Sequence, residues 1–263
     1  MLYKKSLGQH FLIDKNISEK IVRLADISEE DIVWEIGSGK GILTEKLLKK
    51  CGKLYAFEID KKWIDYLKEN LSNPKLRLIN QDILKIDFAK FVTQLRNYSN
   101  SIKIVANLPY QITSPIIFKI IESRQFFSSI TIMIQNEVAE RIIAKPRCKD
   151  YGKLSIKVQF YFEVKKLFKV PPYLFRPKPK VTSAVIQLIP KRQIPNVSDE
   201  SLLWKIVDHT FQHRRKMLRT SLRIYLNKID YQILMQNKDF DFSRRPEELG
   251  IEEFIFLTDI IKL

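Results

Sequence analysis

Short apolar segments alternate with amphipathic segments over residues 32–134, and this alternation restricts the possible folds more than any other feature of the chain. The amphipathic segments have the spacing of apolar residues that is typical of helices. Strands that alternate with helices form parallel sheets with helices on both faces. The sequence therefore predicts a doubly wound α/β sheet with strands at 32–36, 54–58, 76–80, 102–106 and 130–134, and helices at 43–50, 63–71 and 115–121.

The pattern changes after residue 150. Segments 154–162 and 181–188 flank a proline-rich basic connection, which predicts an antiparallel strand pair at the sheet edge with a long functional loop between its members. Residues 190–200 are polar, and residues after 200 have only helical periodicity. We therefore predict a Rossmann-like domain at 1–189, a linker at 190–200 and a small all-helical domain at 201–263.

The chain carries a large excess of basic residues. Its 46 Lys and Arg residues exceed its 30 Asp and Glu residues, which gives a net charge of +16 and favours a polyanionic partner, either nucleic acid or an anionic membrane surface. The sequence contains no apolar run of membrane-spanning length and no signal-peptide pattern, so we expect a soluble cytoplasmic protein. Two cysteines, Cys51 and Cys148, suit a reducing compartment and supply no set of metal ligands, so no metal is expected.

A glycine-rich turn follows the first predicted strand, and an acidic residue ends the second. Gly37 and Gly39 permit close approach of a ligand to the backbone, and Glu58 lies where a ribose diol binds in such sheets. Together they indicate an adenosine-containing cofactor. The turn is shorter than the dinucleotide fingerprint, and Glu35 beside it would repel a pyrophosphate and attract a cation. S-adenosylmethionine, which carries a sulfonium and an ammonium group and no phosphate, therefore fits better than NAD.

Asp82 and Ile83 follow the third predicted strand. The Asp82 carboxylate can accept a hydrogen bond from the adenine amino group, and Ile83 can pack against the adenine ring. The alternative for Asp82 is a loop residue or a helix cap.

Asn107, Leu108, Pro109 and Tyr110 directly follow the fourth predicted strand. Pro109 has no N–H group to donate, so the strand should end here, at the sheet edge where ligands bind in open α/β folds. The Asn107 carboxamide and the Leu108 carbonyl can accept hydrogen bonds from an exocyclic amine, and Tyr110 can stack on a base. A strand-terminating turn with Asn107 as a local cap is an equally good interpretation of these four residues alone.

Six segments of the chain belong to one recognisable pattern: 8–12, 37–41, 107–110, 151–155, 175–183 and 211–216. Together they resemble the family of rRNA adenine N6,N6-dimethyltransferases, and the likeness extends over essentially the whole chain. Segments 151–155 and 211–216 are most similar to the bacterial small-subunit enzymes of that family.

The resemblance implies S-adenosylmethionine as cofactor and, as substrate, two adjacent adenosines in the hairpin near the 3′ end of 16S rRNA. It also implies action on the immature small ribosomal subunit, with a role in its biogenesis, and we expect a monomer.

The same resemblance assigns roles to single residues. It implies that His10 and Leu12 cover the cofactor, that Gly37 contacts its methionine part, and that Asn107 lies at the site of methyl transfer. It also implies that Glu58 holds the ribose and Asp82 the adenine. The full set of expected cofactor-binding residues is His10, Leu12, Glu35, Gly37, Gly39, Glu58, Asp82, Ile83 and Asn107.

The chemistry of adenine N6 suggests how the tetrapeptide would act. The N6 lone pair is delocalised into the ring, so the amine must be rotated or pyramidalised before it can attack a methyl group. Acceptors at Asn107 and Leu108 would orient the lone pair and stabilise the developing positive charge, so no strong base is needed. Tyr110 would stack on the base, and Phe175 would close the other side unless it packs in the core. The predicted catalytic residues are Asn107, Leu108, Pro109, Tyr110 and Phe175.

Basic residues in two parts of the chain are candidate contacts to RNA phosphates. Arg215, Arg219 and Arg223 have the spacing of one helix face, and a basic loop near residue 178 adds a second cluster. A solvated basic face is the alternative. The candidate RNA-binding residues are Arg176, Lys178, Lys180, Arg214, Arg215, Lys216, Arg219 and Arg223.

Two other functions stay open from the sequence. A large-subunit rRNA methyltransferase of the antibiotic-resistance type would share the catalytic domain, although its tetrapeptide commonly carries Ile at the position of Leu108. A ribosome-assembly factor could bind RNA through the same fold without turnover. A zinc deaminase is excluded because its His-x-Glu and Pro-Cys-x-x-Cys elements are missing, and Thr210 stands where a zinc-protease motif between His209 and His213 would need Glu.

Overall fold

The computed structural model describes residues 9–95 and 102–262 of the chain. The residues group into two compact units. The first comprises Met1–Ala139, as far as that segment is described, with Glu163–Pro190, and the second comprises Glu140–Phe162 with Lys191–Leu263. The sequence-based boundaries put residues 140–162 in the first domain, so the second unit contains one segment more than those boundaries give it. Gly8, the first residue of the N-terminal motif, lies outside the described residues.

The strands of the described residues are β1 (Phe11–Leu12), β2 (Ile32–Ile36), β3 (Lys53–Phe57), β4 (Leu76–Ile79), β5 (Ile102–Asn107), β6 (Ser129–Gln135), β7 (Phe162–Val170), β8 (Phe175–Arg176) and β9 (Ser183–Pro190). Seven of them form a sheet that organises the described part of the first unit, with the order β4-β3-β2-β5-β6-β9-β7. Strands β2 to β6 pair in parallel, and β9 runs antiparallel to β6. The predicted α/β sheet is confirmed, and all five predicted strands lie within one residue of the observed bounds.

Helices connect the parallel strands, and aspartates start several of them. The helices of this part of the chain are α1 (Lys15–Leu24), α2 (Ile42–Leu48), α3 (Lys61–Asn70), α4 (Phe88–Thr93), α5 (Thr113–Glu122) and α6 (Asn136–Ile143). Asp14 accepts a hydrogen bond from a backbone N–H at the start of α1, and Asp60 and Asp87 do the same for α3 and α4. These caps fix where those three helices begin.

The central strands are buried on both faces. Trp34 on β2 is 0% exposed, and four aromatic rings lie 5.1–5.3 Å from its ring: Phe57, Phe88, Phe91 and Phe127. Aromatic side chains bury large apolar areas, so this cluster stabilises one layer of the fold strongly. The loops at the strand ends therefore start from a rigid base.

The segment 154–162 is a helix rather than the predicted strand. Helix α7 (Lys153–Tyr161) begins where Ser155 Oγ accepts a hydrogen bond from the Gly152 N–H at 3.0 Å, and the strand β7 starts only at Phe162. The β-branched and aromatic residues of the segment favour a strand locally. Burial of Val158 and Phe160 in the helical conformation outweighs that preference of about 1 kcal/mol.

The second unit is helical wherever regular structure is described. The sequence pattern predicted one helix face that carries Arg215, Arg219 and Arg223. In the structure a short loop, residues 213–217, separates two helices in this region. Among the described helices, none combines the length and apolar character that crossing a bilayer would require. Besides α7, the helices of this unit are α8 (Glu200–Gln212), α9 (Leu218–Tyr225), α10 (Lys228–Met235) and α11 (Ile251–Lys262).

Candidate active site

A cavity of about 150 Å³ lies at the carboxyl ends of the parallel strands, where ligands bind in open α/β sheets. Loops after β2, β3, β4 and β5 and the segment 9–11 line it. The predicted site residues in its lining are His10, Gly37, Gly39, Glu58, Asp82, Ile83, Asn107, Leu108, Pro109 and Tyr110. Leu12, Glu35 and Phe175 are not part of this lining.

The glycine turn after β2 needs glycine for two reasons. Gly37 and Gly39 have φ angles of +78° and +51°, in the left-handed region that other residues disfavour. The Gly37 N–H donates to the Phe57 carbonyl at 2.8 Å, which ties the turn to the neighbouring strand. A Cβ atom at Gly39 would lie 2.7 Å from the Phe11 ring. The turn and the strand β1 can therefore approach closely only because no side chain stands between them.

Glu58 lies directly after β3, and its carboxylate is held between two loops. One oxygen accepts a hydrogen bond from the Gly39 N–H and the other from the Asp60 N–H, both at 2.9 Å. Burial raises the pKa of Glu58, and the two N–H donors oppose that rise. Each oxygen still has a lone pair that a ribose hydroxyl can use.

Asp82 is both a cap and a cavity residue. One carboxylate oxygen accepts a hydrogen bond from the Leu84 N–H at 3.0 Å and starts the short helix Ile83–Lys85. The second oxygen can accept from a ligand. Ile83 and the exposed Ile59 offer apolar surface in the same cavity, which suits a planar heterocycle.

Glu35 lies in a second, small cavity of about 30 Å³, whose lining shares Phe11, Gly37 and Asn107 with the main cavity. Its buried carboxylate accepts a hydrogen bond from Thr44 Oγ1 at 2.7 Å. Burial raises the pKa of Glu35 to about 8. Because strand β2 holds Glu35 within the sheet, its predicted contact with the cofactor would be made from this small cavity.

Ser38 lies in the same small cavity and is buried, and its hydroxyl finds no hydrogen-bond partner among the described residues. A buried polar group without a partner is uncommon. Together with the Glu35 carboxylate, it offers a donor and acceptors to a polar group such as the amino-acid part of S-adenosylmethionine. The residues of both cavities therefore fit that cofactor.

The carboxamide of Asn107 is oriented by the N-terminal segment. Its Nδ2 donates to the His10 carbonyl at 3.1 Å, which leaves Oδ1 as an acceptor. The Leu108 N–H donates to the Met133 carbonyl at 3.1 Å and thus extends the contact between β5 and β6. Within residues 9–95 and 102–262, Asn107 Oδ1 and the Leu108 carbonyl have no hydrogen-bond partner. Two neighbouring residues of the cavity lining therefore each offer an acceptor.

Pairing of β1 with β8 brings two distant motifs together. Phe11 lies opposite Arg176 and Leu12 opposite Phe175 in this antiparallel pair. His10 Nδ1 donates to the Pro177 carbonyl at 2.8 Å, and the His10 ring lies 5.4 Å from the ring of Tyr110. The N-terminal segment is therefore held against the tetrapeptide.

Phe175 does not cover the cavity, so its predicted role in stacking on the base is wrong. Its side chain is 0% exposed and packs in the apolar core with Leu12 and Leu47. Successive residues of a strand face opposite sides, so Phe175 is buried where Arg176 is exposed. Leu12, buried beside it, lines the small cavity and not the main one.

The basic loop residues Arg176, Lys178 and Lys180 are exposed, as are Arg215, Lys216, Arg219 and Arg223 of the second unit. Arg214 differs from them. It forms an ion pair with Glu247 at 2.5 Å and donates to the Lys149 carbonyl at 2.7 Å. These bonds favour a structural role for Arg214 within the unit over the predicted RNA contact.

Arg215 does not share a helix with Arg219 and Arg223. Helix α8 ends at Gln212, and α9 begins at Leu218, so Arg215 lies in the connecting turn. A hydrogen bond from the Lys216 N–H to the His213 carbonyl at 2.7 Å closes that turn. The predicted three-residue face is therefore reduced to Arg219 and Arg223, one turn apart on α9.

Several residues that line the cavity were not predicted from the sequence. Gln9, Ile59, Gln81 and Gln111 line the cavity, and each directly adjoins a residue that was predicted. Their position next to a predicted residue in the sequence could therefore have indicated them as cavity residues. Ser183 belongs to segment 175–183, but its contact with the Tyr110 hydroxyl could not be predicted locally, because 73 residues separate the two.

Comparison with known proteins gives consistent matches over the whole chain. Residues 2–258 match the model of the family described as ribosomal RNA adenine dimethylase. The chain is 44% identical to the ribosomal RNA small subunit methyltransferase A of Clostridium perfringens strain SM101, over 98% of this chain and 90% of the relative. The protein of the same name from Geobacillus sp. strain WCH70 is 41% identical, over 99% and 92% of the two chains.

Solved structures with this fold include RNA methyltransferases. A dimethyladenosine transferase from Plasmodium falciparum superimposes with a TM-score of 0.77 at 28% identity, over 95% of each chain. The 23S rRNA methyltransferase ErmE superimposes with a TM-score of 0.71 at 23% identity, over 96% of this chain and 100% of the other. The second likeness concerns the fold alone.

Proposed function

The chain belongs to the ribosomal RNA adenine dimethylase family, and from that premise we propose that its substrate is the 16S rRNA of the small ribosomal subunit. It is an S-adenosylmethionine-dependent rRNA adenine dimethyltransferase. The choice of subunit is supported by the relatives at 41% and 44% identity, whose names specify the small subunit.

Within that RNA, we propose two adjacent adenosines of the hairpin near the 3′ end as the methylated residues. The resemblance of segments 151–155 and 211–216 to small-subunit enzymes supports this target. Modification would occur on the immature subunit in the cytoplasm and contribute to subunit biogenesis, with the enzyme acting as a monomer.

The cofactor would be held by the residues of the two cavities. S-adenosylmethionine supplies an electrophilic methyl group when it is bound. Glu58 would accept hydrogen bonds from the ribose, and Asp82 would accept one from the adenine amino group. Ile59 and Ile83 would cover the ring, while Glu35 would face the cationic amino-acid part, which favours its ionised form.

The methyl-transfer step depends on Asn107 and Leu108. Their two oxygens would accept the N6 hydrogens of the target adenine, turn the N6 lone pair out of conjugation and stabilise the positive charge that develops on nitrogen. Tyr110 would stack on the base. The observation that carries this proposal is the bond from Asn107 Nδ2 to the His10 carbonyl, because it fixes Oδ1 as an acceptor in the cavity that Glu58 and Asp82 also line.

Dimethylation requires a second transfer to the same nitrogen. The first transfer would form the bond between N6 and the methyl group as the bond from sulfur to that methyl group breaks, and the N6 cation would then release one proton to solvent. Only one N6 hydrogen is then left, so one acceptor suffices and the other must tolerate a methyl group. The neutral oxygens of Asn107 and Leu108 meet both requirements. No general base is needed at this position.

The exposed cations would bind the RNA backbone. Arg215, Lys216, Arg219 and Arg223 lie in the second unit, and the loop near Lys178 lies in the first. Phosphate contacts of this kind position a protein on RNA without reading its sequence. We therefore assign RNA binding to residues 201–263 together with that loop.

A methyl-transfer assay with two substrates tests the proposal. The enzyme is supplied with labelled S-adenosylmethionine and undermethylated small subunits, and in parallel with large subunits, before nucleoside analysis. We expect labelled dimethyladenosine in small-subunit RNA alone. Label in large-subunit RNA would favour the resistance-type activity, and tight binding to small subunits without label would favour an assembly factor.

A further inference from the structure

The hydroxyl of Tyr110 is held by a residue from a distant strand. It lies 2.7 Å from Ser183 Oγ, within hydrogen-bond distance. Ser183 is 0% exposed and starts β9, where it pairs with Gln135 of β6. The far end of the Tyr110 side chain is therefore attached to the rigid sheet and not to a loop.

The Tyr110 ring is restrained at a second place. The His10 ring lies 5.4 Å away at an interplanar angle of 32°, and His10 is itself bound to the Pro177 carbonyl. A tyrosine side chain moves mainly about two torsions, and a bond at its hydroxyl restricts both. The contacts with Ser183 and His10 thus define one plane for the aromatic ring.

The orientation of that plane matters for the proposed reaction, on which this inference rests. A base stacked on Tyr110 takes its tilt from the ring, and the tilt decides whether the N6 lone pair lines up for transfer. Small errors in alignment are costly, because positioning supplies a large part of the rate enhancement of enzymes.

We propose that Ser183 is a positioning residue for methyl transfer, which acts by holding the Tyr110 ring in the plane on which the target adenine stacks. Its effect is larger in the second transfer than in the first. Two N6 hydrogens orient the amine in the first transfer, but only one is left in the second, so the stacked ring carries more of the alignment.

When Tyr110 ionises, its oxygen can only accept, so the Ser183 hydroxyl must be the donor of their hydrogen bond. The pKa of Tyr110 therefore reports on this bond without any measurement of turnover. Burial raises the pKa of Tyr110, and the hydrogen bond from Ser183 opposes that rise. Loss of the Ser183 hydroxyl should therefore raise the pKa of Tyr110 further. Titration of 13C-labelled tyrosine by NMR measures it, with Tyr110→Phe identifying the resonance.

The experiment compares Ser183→Ala, Tyr110→Phe and the double variant on small subunits. We expect kcat to fall by about five- to tenfold in each single variant, as for loss of one hydrogen bond, with KM for the RNA unchanged. The double variant should be no slower than either single one, because both remove the same bond. The ratio of monomethyladenosine to dimethyladenosine should rise in all three.

Ser18→Ala is the matched control, because Ser18 is also fully buried and its hydroxyl donates to the Lys15 carbonyl at 2.8 Å, outside the cavity. It should leave kcat and the product ratio unchanged even if it lowers the melting temperature. Equal kcat and product ratio in Ser183→Ala and the wild type would overturn the inference. So would additive effects in the double variant or an unchanged Tyr110 titration.

Failure of the proposed function would be seen separately, as the absence of dimethyladenosine from small subunits treated with the wild type. The Tyr110 titration does not depend on that result. It therefore still decides whether Ser183 holds the ring.

Discussion

Among single residues, Asn107 has the most direct part in the methyl transfer that we propose. Asn107 Nδ2 donates a hydrogen bond to the His10 carbonyl, and this bond fixes the orientation of Oδ1 before any substrate binds. Preorganised acceptors of this kind cost no rearrangement during the reaction, and this is why they lower barriers effectively.

Replacement of Asn107 by Ala should reduce single-turnover methyl transfer by roughly a hundredfold or more, the usual cost of losing one preorganised polar group at a reacting centre. Binding of cofactor and RNA should change little, because Glu58 and the basic surfaces are intact. Asn70→Ala is the control, since the Asn70 amide also donates to a backbone carbonyl, that of Tyr66, but on an exposed helix. Near-normal turnover of Asn107→Ala would contradict the mechanism.

Glu35 should make stability depend on pH. Burial raises the pKa of Glu35 to about 8 in the folded protein, against 4.5 for the ordinary group. Between these values the folded protein keeps a proton that the unfolded chain has released, so the free energy of unfolding falls as pH rises through this window. Glu35→Gln keeps an acceptor for Thr44 and does not titrate. Its stability relative to the wild type should therefore improve from about pH 5 to about pH 8.

Denaturant unfolding at several pH values measures this difference. Glu45→Gln, at an exposed position on α2, is the control. A constant difference between Glu35→Gln and the wild type across the window would show that Glu35 is ionised in the folded protein.

At the scale of elements, the cavity depends on the contact of β1 with the glycine turn. Strand β1 is two residues long and is held by its pairing with β8 and by close approach to Gly39. The predicted strands and helices of the parallel sheet agree with the structure because their periodicity is local. Segment 154–162 does not, because its conformation is decided by what it packs against.

Gly39→Ala should disturb this contact. The new Cβ would lie 2.7 Å from the Phe11 ring, and the φ of +51° is strained for alanine by about 1 kcal/mol. We expect a lower melting temperature and cofactor affinity reduced by at least about tenfold, because the Gly39 N–H also holds Glu58. Calorimetric titration with S-adenosylhomocysteine measures the affinity.

Gly152→Ala is the matched control for this substitution. Gly152 has an extended φ of −175°, and a Cβ there would meet no atom within 4 Å. Both variants behaving alike would mean that the Gly39 contact does not matter for the cofactor.

At the scale of the whole molecule, the net charge of +16 gives the chain a general attraction to RNA. In the structure, some basic side chains are exposed and can contact RNA phosphates, whereas others are bound to groups of the protein itself. Arg219 and Arg223 are exposed on α9, whereas Arg214 is bound to Glu247 and to the Lys149 carbonyl.

Replacement of both Arg219 and Arg223 by Gln should raise KM for small subunits and leave kcat unchanged. Each lost phosphate contact should reduce the slope of log affinity against log salt by somewhat less than one unit. Arg214→Gln should instead lower the melting temperature and leave the slope unchanged. Binding measured at several salt concentrations distinguishes the two, and an unaltered slope in the double variant would remove α9 from the RNA surface.

Local features of the chain predict the α/β sheet and the glycine turn, and they put Glu58, Asp82 and Asn107 near strand ends, because periodicity and residue chemistry are local properties. Three facts follow from folding alone: Phe175 belongs to the core, Arg214 forms an ion pair with Glu247, and Ser183 contacts the Tyr110 hydroxyl. These three facts depend on contacts between residues far apart in the chain. Such contacts follow from how strands pair and which faces become buried, and no local pattern records them.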